Sequence, residues 1–153
     1  ASEFDGFLYD RNSFAHQGIR KQTDSLLKCT GKPVMLLDAG EVPYFENTVS
    51  RDSQTFELIV EHRIQNHADN QIDCLTGPKK FIQSVERLEA YCYVMQRHDL
   101  YYDESYYAYG DFWRDYPVAY AQRIISGELS KPEAVVCGND VMADALIAEL
   151  RKR

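Results

Sequence analysis

Four side chains in this sequence have the chemistry to grip a polar small molecule: Arg87, Phe112, Trp113 and Asn139. A guanidinium at Arg87 offers a planar fork of donors that suits vicinal hydroxyls or a carboxylate. Its bland alternative is a surface arginine paired with Glu86 or Glu89. Phe112 and Trp113 follow Gly110-Asp111 where a strand is expected to end, and an aromatic face there would stack on a sugar ring or a base. Simple packing of an aromatic cluster is the competing reading. Asn139 carries an amide that both donates and accepts, which fits a sugar hydroxyl or a purine edge.

Other constellations are weaker. His62 and His67 are five residues apart, about 140° around a helix, so they are not expected to face one ion. Thr76-Gly77-Pro78-Lys79-Lys80 has the look of a phosphate loop but lacks the Gly-Lys-Ser/Thr ending, and Pro78 removes a backbone donor. No serine stands in a nucleophile elbow and no Cys–His pair is evident, so no catalytic residue, metal site or cofactor is assigned. An α/β enzyme using acids such as Asp111 or Asp140 is the competing class, and a matched constellation for it is missing.

The elements that must position these residues alternate. Pro132 to Leu150 reads as strand, tight turn and helix. Ala134–Cys137 is a short apolar run, Gly138 ends it, and Asn139 or Asp140 caps a helix with Met142, Ala143, Leu146, Ile147 and Leu150 inward. In an open parallel sheet, ligands sit beyond the carboxyl ends of the strands, where Gly138-Asn139-Asp140 lies. Upstream, Phe4–Tyr9 and Pro33–Asp38 read as strands around a helix from His16 to Cys29, with Ile19, Leu26 and Leu27 inward and Gly31 as the stop. A loop from Ala39 to Asn47 follows. Asn47–Ser50 is a short strand, Ser53–Gln65 a helix with Phe56, Ile59, Val60 and Ile64 inward, and Gln71–Thr76 a strand. Gln83–His98 then reads as a helix, Tyr106–Tyr109 as a strand, and Pro117 as the first position of a helix ending at Gly127. This order indicates an α/β fold, a parallel sheet flanked by helices.

Composition sets the bounds. The 153 residues, 44% hydrophobic and 27% charged, suit a globular domain and suggest one compact unit. With 17 Lys+Arg against 24 Asp+Glu, the net charge of −7 argues against this segment itself tracking a phosphate backbone. No apolar run approaches membrane-spanning length. Cys29, Cys74, Cys92 and Cys137 are scattered without a C-x-x-C pair and read as reduced thiols, which favours the cytoplasm. The missing initiator Met and the ending at Arg151-Lys152-Arg153 suggest a piece of something longer.

"PEAVVCGNDVMADALIAEL" resembles the segment near the end of the effector domain in lac-repressor-type regulators, which have the type I periplasmic-binding-protein fold. "DGFLYD" and "GKPVMLLD" are similar to the last part of that family's first lobe, and "NTVSRDS" to the crossing into the second. "CLTGP", "ERLEAY" and "YGDFW" follow in the family's order.

The resemblance implies that residues 1–45 are the C-terminal part of a first lobe (βαβ). It implies that residues 46–153 are a second lobe of βα repeats, truncated at its C-terminus. A sugar or purine-like effector would bind between the lobes. Arg87 falls on the family's ligand-binding arginine, Phe112 on its stacking aromatic with Trp113 adjacent, and Asp52 on its hydroxyl-binding carboxylate. From the residues alone, Asp52 reads equally well as a helix N-cap. Asp52-Ser53 stands where the family has Asp-Asn. The implied partners are a small-molecule effector, DNA through a domain absent from this chain, and a second copy as a homodimer. A sensor module with another output domain is the alternative.

Overall fold

In the computed structural model, residues 3–11, 16–37, 45–48 and 52–152 are described. The elements run β1 (Phe7–Asp10), α1 (Gln17–Cys29), β2 (Val34–Leu37), β3 (Glu46–Thr48), α2 (Asp52–His67), β4 (Ile72–Thr76), α3 (Ile82–Arg97), β5 (Tyr107–Tyr109), α4 (Asp115–Ile125), β6 (Ala134–Cys137) and α5 (Asp140–Leu150). The chain divides into two units, Ala1–Arg51 and Asp52–Arg153, where composition suggested one. The expected α/β class holds in both, because every strand pair is parallel.

The first unit is a three-stranded sheet in the order β1-β2-β3, with Phe7 beside Val34 and Met35 beside Glu46. The 46–48 strand, read as the start of the second lobe, therefore pairs with β2, and the division falls after Arg51. Tyr9, Val34 and Leu36 are buried together, with Leu27 of α1 packed against them. α1 starts one residue later than expected, since the His16 side chain accepts from the Gly18 N–H and serves as its N-cap. Gly31, at φ +63°, ends it. Only Leu27 of the expected stripe faces in. Ile19 and Leu26 are exposed, as are Leu8, Met35 and Leu37, so β2 is half-covered here and not buried on both faces. Alternation along β1 and β2 explains this: residues two apart share a face, and one face carries the core.

The second unit is a three-stranded sheet in the order β5-β4-β6, with β4 central. Its strands send alternate residues to opposite layers. Ile72, Cys74 and Val136 join Phe56 and Val60 of α2 and Leu88, Tyr91, Val94 and Met95 of α3. Leu75 joins Tyr120 and Ala121 of α4 and Met142 and Leu146 of α5. Tyr91 is fully buried, and its hydroxyl donates to the Ile72 carbonyl at 2.8 Å. Across α2 and α3, the buried Glu61 carboxylate takes Arg97, His98 at 2.8 Å and Gln65 at 2.6 Å. The Glu133 carboxylate accepts from the Asn70 and Gln71 N–H groups at 2.6 and 3.1 Å, which holds its pKa below the usual range.

Several inward stripes are narrower than the sequence suggested. Ile59 of α2 and Ile147 and Leu150 of α5 are exposed, and Ala145 takes the inward place beside Met142 and Leu146. An i, i+3, i+4 seam suffices where a helix lies against a single layer. Pro117 stands at the third position of α4, still within the turn whose N–H groups lack helical partners. β5 begins at Tyr107, one residue later than expected.

Candidate functional site

Strand order places the site. From the end of β4 the chain turns into α3 on one layer, and from the end of neighbouring β6 it turns into α5 on the other. Two loops diverging from adjacent parallel strands leave a crevice at the strand ends, the switch point where open α/β sheets bind ligands.

Close backbone approach builds that crevice's floor. A Cβ added to Gly138 would lie 3.2 Å from the Thr76 Cα and the Gly77 nitrogen, so the two strand ends touch through glycine. The Phe112 ring lies over Gly77, where a Cβ would come within 2.1 Å of it. Gly77→Ala is therefore expected to expel the ring and cost about 1–3 kcal/mol of stability. Thermal unfolding, with near-UV circular dichroism following the aromatic environment, measures this.

Arg87, Phe112 and Asn139 do come together. Arg87 Nη1 donates to the Gly138 carbonyl at 2.7 Å, and its guanidinium carbon stands 5.9 Å from the Phe112 ring centroid. Asn139 Nδ2 donates to the Phe112 carbonyl at 3.0 Å, while its Oδ1 accepts from the Met142 N–H at 2.9 Å and caps α5. The amide expected to meet a ligand thus already joins two loops, with one N–H and one lone pair to spare. Asn139→Ala is expected to cost about 1.5–3 kcal/mol, more than the roughly 1 kcal/mol of a typical cap, since the Phe112 loop loses its tether as well. Urea titration reads this as a lower midpoint at unchanged slope.

The tether matters because Phe112 sits at φ +65°, a left-handed conformation that a bulky residue adopts only under constraint. Asp111 supplies more of that constraint: its Oδ1 accepts from the Trp113 N–H at 2.8 Å and its Oδ2 from the Tyr116 N–H at 3.1 Å. Both carboxylate oxygens serve the backbone. Trp113 itself is 69% exposed beside this loop, outside the cluster. Asp52 is the first residue of α2, and its side chain lies outside the described residues.

A hollow of about 290 Å³ adjoins the cluster, with Arg87, Gly138 and Asn139 in its wall together with Phe56, Arg63 and Asp140. Arg63 was not read as a site residue. Its signal was its place on α2 four residues beyond Ile59, and it pairs with Asp69 at 2.5 Å. The two histidines also depart from expectation: His62 and His67 meet with Nε2 atoms 3.3 Å apart. Flexible side chains close the angle that helix geometry opens. Among the described residues no group of three or more His, Cys, Asp or Glu could hold a metal ion, and no helix is long and apolar enough to cross a membrane. Burial pushes the Cys137 thiol up to about 11 and raises that of Cys74 as well, so both stay protonated at neutral pH.

Among solved structures, a regulatory protein of the LacI family from Chloroflexus aggregans matches 99% of this chain with 53% of its own, at a TM-score of 0.77 and 22% identity. A sugar-binding transcriptional regulator of the LacI family from Enterococcus faecalis matches 99% of this chain and 54% of its own, with a TM-score of 0.73 and 20% identity. The fold is that of LacI-family regulators. In sequence, the HTH-type transcriptional repressor PurR of Photobacterium profundum is 28% identical over 126 residues, 82% of this chain and 37% of that protein. The HTH-type transcriptional regulator CelR of Thermobifida fusca is 32% identical over 89 residues, 58% of this chain and 26% of that protein. No protein-family model matches the chain. The chain spans about half the length of these solved LacI-family chains and less of the curated relatives. The resemblance to lac-repressor-type regulators read from the sequence is borne out by these similarities.

Proposed function

We propose that this chain is the effector-binding part of a bacterial transcriptional regulator, a sensor that holds a sugar or a similar small polar molecule and releases it unaltered. The observation that carries this reading is the convergence of Arg87, Phe112 and Asn139 on the switch point between β4 and β6. There the guanidinium fork would take vicinal hydroxyls, the ring would stack on the ligand's apolar face, and the remaining amide valences of Asn139 would set its orientation. Trp113 and Asp52 would complete the ligand contacts from the rim and from the head of α2.

Support comes from the fold shared with the sugar-binding transcriptional regulator of Enterococcus faecalis and from the HTH-type repressors among the sequence relatives. On this reading the two units are the C-terminal part of a first lobe and most of a second. DNA is contacted by a separate domain, the protein works in the cytoplasm, and a second copy is its partner. Differential affinity for two conformations supplies the switch.

Calorimetric titration of the chain against a panel of sugars, nucleosides and purine bases tests the proposal. Saturable binding of one class, with the ligand recovered chemically unchanged, is the expected result. Conversion of any panel member to a product would overturn it, as would an affinity left unchanged by loss of the Arg87 side chain.

A further inference from the structure

A second hollow, of about 220 Å³, lies over the other layer of the same sheet, between β5 and α4. Asp73, Glu104, Tyr106, Tyr107, Tyr120 and Arg123 stand in its wall. A smaller recess of about 80 Å³ shares Asp73, Ser105, Tyr106 and Leu129 with it. Asp73 is the second residue of β4, toward the strand end opposite Gly77, so this hollow is distinct from the crevice described above.

Its charges do not cancel. The Tyr120 hydroxyl donates to Asp73 Oδ2, and Oδ1 has no hydrogen-bond partner among the described residues. Arg123, the one cation in the wall, is engaged by Glu128, Nε to Oε1 at 2.7 Å. Glu104 makes no ion pair among the described residues. Partial burial raises the Asp73 pKa, against the Tyr120 bond that lowers it, the mark of a carboxylate removed from water without a compensating cation.

Tyrosines complete the chemistry. Their rings attract a cation through the quadrupole, and their hydroxyls accept from an N–H donor. The volume exceeds what a bare metal ion needs and suits several heavy atoms.

We propose that this hollow binds a small organic cation, an alkylammonium or alkylguanidinium, with its charged head on Asp73 and Glu104 and its stem against the tyrosines. The assignment does not depend on the sugar-sensing reading. Occupied, the site would give the domain a second input, because Asp73 and Leu75 of the same strand connect it to the α4–α5 layer.

Titrating the chain with butylguanidinium, butylammonium and neutral 1-butanol, followed by heteronuclear NMR, tests this. The cations are expected to give saturable shifts at Asp73, Ser105 to Tyr107 and Tyr120 that butanol does not reproduce. Asp73→Asn, which keeps an acceptor for Tyr120, should weaken cation binding at least about tenfold, the loss of a charge-assisted hydrogen bond. Asp144→Asn, which removes an exposed carboxylate on α5 paired with Arg114, should leave it unchanged. Absence of saturable shifts, equal shifts with butanol, or unchanged affinity in a folded Asp73→Asn protein would each sink the assignment. Should that variant not fold, Glu104→Gln carries the test, and retention of full affinity there overturns it equally.

Discussion

Tyr91→Ala is expected to remove about 3–5 kcal/mol of folding free energy, a large share of the roughly 5–15 kcal/mol that holds a domain of this size together. The ring is fully buried at the centre of the α2–α3 layer, packed among Val60, Ile72 and Met95. Truncation opens a cavity that a β-sheet backbone beneath it cannot collapse to fill. The hydroxyl adds a separate, smaller amount through its bond to the Ile72 carbonyl. Tyr91→Phe should therefore cost only about 1 kcal/mol, a net hydrogen bond with the packing kept. Chemical denaturation of the pair separates the two contributions, and equal losses in both variants would contradict the packing account.

Arg87→Met should weaken effector binding about 10- to 150-fold, the range for a hydrogen bond to a charged group, while leaving the fold in place. Arg87 is half-buried with its Nη1 on the Gly138 carbonyl, so a modest fall in melting temperature accompanies the change. Arg87→Lys distinguishes charge from shape. A lysine keeps the positive charge but presents no planar fork, so it should recover little of the lost affinity. Calorimetry of both variants with whichever panel sugar or nucleoside the wild-type chain binds reads this directly. Full recovery by lysine would mean that only the charge matters.

Much of this was legible beforehand, for physical reasons. Short apolar runs ended by glycine, followed by helical spacing, are the same signal whether read as letters or seen as β4, α3, β6 and α5. Arg87, Phe112 and Asn139 were singled out by side-chain chemistry, strand ends and family resemblance, and they do meet.

What escaped was mostly contact across the chain. Gly138 read only as a strand terminator, yet an added Cβ there would lie 3.2 Å from the Thr76 backbone, and Gly77 makes room for the Phe112 ring, contacts that no local pattern encodes. Asn139 was legible as a cap of α5, but the bond from its Nδ2 to the Phe112 carbonyl was not. The pairing of the 46–48 strand with β2, the exposed Ile147 and Leu150, and the meeting of His62 with His67 likewise depend on neighbours that periodicity does not see. The expectation at Asp52 lies on a side chain outside the described residues.

Strand β4 feeds Ile72 and Cys74 to one helix layer and Leu75 to the other, and the two buried clusters share no residue. The sheet therefore acts as a partition. A lesion such as Val60→Ala on one side and Leu146→Ala on the opposite side should add in free energy, with negligible coupling in a double-mutant cycle. Mutational drift in one half of the hydrophobic interior can then proceed without compensation from the other, which leaves the crevice at the strand ends as the place where the two halves constrain each other.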